Sequence, residues 1–163
     1  EVLNYMEYYP VAFDWCNQYG IAPMANTDIH DLISGDYGWG GGKFRPLTLV
    51  FATERSEKGI KEALFARRTA ALFDGKLVGK PEYLMKLAEA SLKIRRISEK
   101  TIEVTNISDI PFEITNGGKL YLFPCRKTVR IGIPKEGALV FENCFVGMNQ
   151  KLSIPFEWWK SIL

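Results

Sequence analysis

A strand–helix–strand–helix rhythm up to residue 90, followed only by short strand-like runs, predicts an α/β part and then a small all-β sandwich. Continuous apolar runs such as Ile21–Ala25 and Leu47–Ala52 suit strands covered on both faces, so the first part reads as a parallel unit. Beyond Ser91 the helical spacing stops and turn residues recur at short intervals. The boundary drawn from this switch separates residues 1–90 from residues 91–163.

Each element has its own signal. Tyr9, Phe13, Cys16 and Tyr19 recur at helical spacing, with Pro10 suited to the first turn and Gly20 to the stop. Ile21–Ala25 then reads as a buried strand, and a loop rich in Gly, Asp and aromatic residues runs from Asp31 to Pro46. Leu47–Ala52 is the second strand. Ser56 caps an amphipathic helix through Ile60, Ala63 and Leu64 that ends near Arg68. Thr69–Phe73 is the third strand, Asp74-Gly75 a turn, and Pro81–Ala90 a helix that connects the two parts. The sandwich strands are expected at Leu92–Ile97, Thr101–Thr105, Phe112–Thr115, Leu120–Phe123, Thr128–Ile133, Ala138–Val146 and Leu152–Phe156.

Composition excludes several classes. Of 163 residues 47% are hydrophobic and 25% charged, and 21 basic against 19 acidic side chains leave a formal charge of +2. A polybasic surface for a nucleic acid duplex is not expected from that balance. No apolar run approaches the ~20 residues of a membrane span. No signal peptide is recognisable, and the opening at Glu1 rather than Met suggests a fragment or processed product, so the compartment stays unknown. Cys16, Cys125 and Cys144 are too scattered for a disulfide framework or a zinc ribbon. Cys125 and Cys144 are read as buried thiols or as a pair formed in an oxidising compartment.

The chemistry-bearing stretch is Asn26-Thr27-Asp28-Ile29-His30, directly after the first apolar strand. Asp28 offers carboxylate oxygens, and His30, the only histidine, offers an imidazole; both suit divalent transition metals. On spacing alone the pair reads first as a helix-capping Asp beside a partly exposed His. As a ligand pair, Asp28 and His30 are expected to project from the strand end toward one cavity by period-two geometry, with Ile29 facing the core. In the following loop, Gly40-Gly41-Gly42-Lys43 fails the phosphate-loop pattern, because Tyr37 and Phe44 stand where Gly and Ser/Thr are needed. The stretch from Ser34 to Arg45 reads either as a flap whose Tyr37, Trp39, Lys43 and Arg45 contact substrate, or as a surface loop with Arg45 bonded locally. Arg67-Arg68 and Glu54-Arg55 read as structural, Trp158-Trp159 as a packed terminal segment, and Asn106-Ile107-Ser108 as a turn that happens to match a glycosylation sequon.

A strand ending in Asn26-Thr27-Asp28-Ile29-His30 and then a loop resembles the last metal-binding motif of the polymerase-and-histidinol-phosphatase (PHP) superfamily of metal-dependent phosphoesterases. Leu47–Ala52, Glu54-Arg55-Ser56, Ile60–Leu64 and Ala66-Arg67-Arg68-Thr69 are similar to the strand, helix and Arg-Arg-Thr turn of its bacterial phosphodiesterase-like members. The resemblance implies the C-terminal portion of a distorted TIM-like β/α barrel, with a cluster of zinc, manganese or iron ions at the strand ends. It makes Asp28 and His30 metal ligands, with no catalytic residue beyond the ligands, and offers Lys43 and Arg45 for the substrate. The reaction implied is hydrolysis of phosphate mono- or diesters by a metal-activated water. The superfamily's opening His-x-His motif and middle His and Glu ligands have no counterpart here, so the site is expected to need the missing N-terminal part of the barrel. A second reading takes the chain as a non-catalytic β-sandwich module for interaction or structure.

Overall fold

The structure is a computed structural model and describes residues 1–37, 45–134 and 137–158. Pro10 lacks an N–H to satisfy and Gly20 adopts φ 63, so helix α1 is bounded at Pro10–Tyr19 by residues made for its two ends. The chain reaches α1 through two short strands, β1 (Leu3–Asn4) and β2 (Glu7–Tyr8), and leaves it for β3 (Ala25–Asn26). Strand β1 pairs antiparallel with β2 and parallel with β3. Phe13 and Cys16 on the inner side of α1 close over Val2, Leu3, Ala25, Ala71 and Val78. The outer side is different: Val11, Trp15 and Tyr19, four residues apart, are 49%, 56% and 67% exposed.

A short helix α2 (Ile33–Tyr37) follows, then strand β4 (Leu47–Val50), helix α3 (Glu57–Phe65), strands β5 (Thr69–Phe73) and β6 (Lys76–Gly79), and helix α4 (Pro81–Ser91). Ser56 caps α3 by accepting from Gly59 N at 3.0 Å. Asp74 at φ 48 and Gly75 at φ 74 supply the two left-handed residues of a tight hairpin, which joins β5 to β6 in the register Phe73↔Lys76.

Here the expected parallel arrangement is corrected. Strand β5 runs antiparallel to both of its neighbours, β4 and β6, with β4 at the end of the sheet and half-buried throughout. The cause is local. Phe51 N donates to Arg68 O at 2.9 Å, which continues the Val50↔Thr69 pairing, so the chain leaves β4 and enters β5 at the same end of the strand pair. The helix sits in a hairpin connection rather than in a crossover. The described residues form part of a sheet, not a closed TIM-like barrel. The expected strand Ile21–Ala25 also contracts to Ala25–Asn26: Ile21 is 54% exposed, and Pro23 has no N–H for a ladder.

The chain divides into two compact units, Glu1–Leu84 with Phe145–Gln150, and Met85–Cys144 with Lys151–Leu163. The second unit carries β7 (Leu92–Arg96), β8 (Thr101–Asn106), β9 (Phe112–Asn116), β10 (Lys119–Phe123), β11 (Thr128–Gly132), β12 (Leu139–Gly147, its last residues in the first unit) and β13 (Gln150–Ile154). Order β11-β8-β7 makes one antiparallel sheet; β10, β9 and β12, with β13 beside β12, belong to the seven-stranded sheet of order β10-β9-β12-β6-β5-β4. Strands alternate as half-buried strands do: Ile102, Val104 and Asn106 are buried, and the residues between them less so. Glu103 joins three strands by accepting from Arg95 at 2.7 Å and from Arg130 at 3.0 Å. Those two hydrogen bonds hold its carboxyl below the ordinary range.

Buried asparagines replace ladder partners where the strands end. Asn106, fully buried, donates to Ile110 O at 2.7 Å and Phe123 O at 3.0 Å, and its Oδ1 accepts from Ser108 N and Oγ. The sequon-like Asn106-Ile107-Ser108 is therefore a turn with its asparagine sealed inside. Asn143 similarly accepts from Glu113 N at 3.2 Å and donates to Pro111 O at 2.8 Å. Trp158 packs edge-on to Phe141 and donates to Glu89 at 3.0 Å. All three thiols are free; burial pushes that of Cys144 up to about 12. No helix among the described residues is long and apolar enough to cross a membrane.

Replacing Asn106 with Ala strands the Ile110 and Phe123 carbonyls and the Ser108 amide without their partner. We expect it to lower unfolding free energy in urea by about 3 kcal/mol, as loss of a buried polar network does. Ser108→Ala, which leaves both Asn106 donors in place, is expected to cost about 1 kcal/mol.

Candidate functional site

The candidate site grows from the parallel pair β1–β3. Leu3 faces Ala25 and Asn4 faces Asn26, so the two strands end side by side, with α1 as the return between them. Carboxyl ends of parallel strands are where α/β proteins gather reactive side chains. Both chains bend sharply just past those ends. Tyr5 has φ 52 and Asp28 has φ 50, left-handed values that non-glycine residues seldom adopt. Two such residues beyond adjacent strand ends mark a place where packing over-determines the backbone.

Several bonds hold that backbone. Tyr5 N donates to Asn26 O at 3.2 Å, and Asn26 Nδ2 donates to Glu1 at 2.6 Å. Tyr37, only 4% exposed, donates its hydroxyl to Thr27 O at 3.0 Å and packs edge-on to Tyr5 at 6.1 Å and 67°. Burial, then the charges of Tyr5, Asp36 and Asp28, push the Tyr37 phenol up. Tyr9 is pushed up too, first by its hydrogen bond to Glu7, then by burial and by the charges of Glu7, Asp28 and Glu1. Asp28 thus lies within electrostatic reach of two phenols. Asn4 Oδ1, at the end of β1, is buried with no hydrogen-bond partner among the described residues.

The expected side chains fall as follows. Asp28 and His30 are exposed and Ile29 is half-buried, all in the loop after β3. The expected period-two geometry does not apply, because the strand ends at Asn26 and the backbone reverses at Asp28. Tyr37 is corrected from substrate contact to support, since its hydroxyl is engaged by Thr27. Arg45 is exposed just ahead of β4; Lys43 and Trp39 lie outside the described residues. Arg67 and Arg68 are structural: Arg67 donates to Gly20 O at 3.2 Å, and Arg68 pairs with Glu62 and donates to Phe51 O at 3.0 Å. Sequence reasoning missed Tyr5 and Tyr9, which carry no motif: Tyr5 meets the end of β3 through its bond to Asn26 O, and Tyr9 feels the charge of Asp28.

The donors present fit part of a divalent-metal site. A carboxylate and an imidazole two residues apart, both open to solvent, are suitable in kind. Among the described residues no three His, Cys, Asp or Glu side chains gather closely enough to hold an ion.

If Tyr37 anchors the motif loop, Tyr37→Phe keeps the ring and frees the Thr27 carbonyl. Thermal unfolding is expected to show a loss of about 1 kcal/mol, with Asp28 and His30 amide signals shifted in NMR spectra. Unshifted signals would mean the loop is held by other contacts.

No protein-family model matches the chain, and no curated protein matches it. A solved structure does: the crystal structure of a two-domain protein containing a predicted PHP-like metal-dependent phosphoesterase from Bacteroides vulgatus. The two share 29% identity at a TM-score of 0.87, over 94% of this chain and 50% of that one. The chain therefore spans about half the length of that relative. The resemblance to PHP-type phosphoesterases drawn from Asn26–His30 is thus met in three dimensions: in fold and sequence the chain is similar to half of a two-domain protein containing a predicted PHP-like metal-dependent phosphoesterase.

Proposed function

We propose that this chain contributes Asp28 and His30 to the metal site of a phosphoesterase that hydrolyses phosphate mono- or diesters. The observation that carries the reading is the placement of this pair just beyond two parallel strand ends, in a backbone turned by left-handed Tyr5 and Asp28. The similarity to half of a PHP-like, metal-dependent relative supports it. Asp28 would supply a carboxylate oxygen and His30 a ring nitrogen. The remaining ligands would come from a part of the barrel outside this chain.

Divalent ions held there, whether zinc, manganese or iron, would supply an activated water and neutralise charge on the phosphoryl oxygens. The chain's own residues do the rest. The bonds from Tyr37 to Thr27 and from Tyr5 to Asn26 hold the motif loop at the strand ends, so both ligands are presented without a large ordering cost. Arg45, exposed before β4, is assigned to the substrate, where its guanidinium can take two phosphate oxygens at once; Lys43 is assigned the same role.

The test uses the longer protein with an aryl phosphate. Asp28→Ala is expected to lower turnover by at least about a hundredfold, since removing a ligand loosens the ion and its water together. The 163-residue chain alone is expected to show no turnover, because two ligands hold an ion only transiently and leave it open to solvent. Full activity in the Asp28→Ala protein would place the chemistry elsewhere.

A further inference from the structure

Strand β3 has a ladder on one side only. Met24 O and Asn26 O accept from Val2 N at 2.8 Å and Tyr5 N at 3.2 Å, so these alternate residues turn their carbonyls toward β1. The residue between them, Ala25, turns its N–H and carbonyl the other way, as strand alternation requires. An unpaired edge would be expected there. Instead Thr48 Oγ1 accepts from Ala25 N at 2.9 Å and donates to Ala25 O at 2.9 Å. One hydroxyl does what a pair of backbone groups does in a sheet.

A second hydroxyl repeats the device two residues earlier. Thr69, fully buried on β5, donates to Pro23 O at 2.8 Å. Pro23 has no N–H, so its carbonyl is the one group needing a partner there. The two threonines lie on one face of the sheet: Val50 pairs with Thr69 and Thr48 with Ala71, and positions 48 and 50 share a side. That face holds the segment leading into the motif loop without a ladder.

We propose that Thr48 is a positioning residue for Asp28 and His30, setting where the strand ends and the left-handed turn begins. This rests on the metal-site reading above. A β-branched side chain, restricted at χ1, suits the task because its hydroxyl has few positions to choose from. Removing the hydroxyl leaves β3 held by β1 alone on its laddered side. Asp28, three residues further on, then loses its fixed starting point, and the two ligands are no longer presented together.

The test uses the full 163-residue chain by NMR, with Mn²⁺ as a paramagnetic probe and three proteins: unmodified, Thr48→Val and Thr48→Ser. In Thr48→Val, Ala25 N–H exchange is expected to quicken at least about tenfold, and the Mn²⁺ needed to half-broaden the His30 ring signal to rise about tenfold. Thr48→Ser, which keeps the hydroxyl, should restore both. Should Thr48→Val fail to fold, Thr48→Ala replaces it with the same two readouts. Selective broadening at Asp28 and His30 that Thr48→Val leaves unchanged, or unchanged Ala25 exchange, would overturn the positioning role and leave the metal-site reading standing. No selective broadening in the unmodified chain would overturn the metal-site reading, and the positioning role with it, whatever Ala25 exchange does.

Discussion

The first unit depends on how a two-residue strand is kept in place between unlike neighbours. Strand β3 is too short to be stable by its own ladder, and Pro23 removes the donor that would have lengthened it. It is held because β1 pairs with one side while Thr48 and Thr69 reach the other. Around that segment Phe13, Cys16, Ala25, Ala71 and Val78 close a dry cluster, in which a hydrogen-bonded hydroxyl is far less costly than an orphaned carbonyl. The antiparallel β4–β5 pair matters because it places both threonines on the face that meets β3.

From this follows the character of the candidate site. A rigid end to β3, and a loop pinned by the Tyr37–Thr27 bond, set Asp28 and His30 on a supported backbone while leaving their side chains in water. Their exposure leaves both side chains open to further donors and to a substrate, as the proposed partial site requires. On α1, Val11, Trp15 and Tyr19 stay exposed on the outer side although the inner side is sealed. In the second unit Asn106 at the end of β8 and Asn143 within β12 turn inward to satisfy backbone groups.

Much of this was legible in the residues, for identifiable reasons. The sandwich strands alternate cleanly and are separated by turn residues, so each expected run from Leu92 onward holds a strand close to its stated limits. Helices α1, α3 and α4 carry Pro, Ser or Gly at their ends and were equally readable. Strand direction was not. A strand–helix–strand pattern is the same whether the helix crosses over or sits in a hairpin, and the antiparallel β4–β5 register, carried on by the Phe51–Arg68 bond, distinguishes them. Strand β6 was hidden by its shortness, though Asp74-Gly75 announced the turn before it. At the site, the Asp-x-His spacing pointed to a ligand pair. The left-handed Asp28 and the supporting Tyr37 and Thr48 had no local signal, because their roles arise from contacts distant in sequence.

The central claim is that Asp28 and His30 hold one ion together. Anomalous diffraction at the zinc edge, from crystals of the longer protein soaked in Zn²⁺, addresses it directly. The account predicts a peak about 2.1 Å from both an Asp28 carboxylate oxygen and a His30 ring nitrogen. A zinc peak elsewhere, with Asp28 and His30 both uncoordinated, would contradict it.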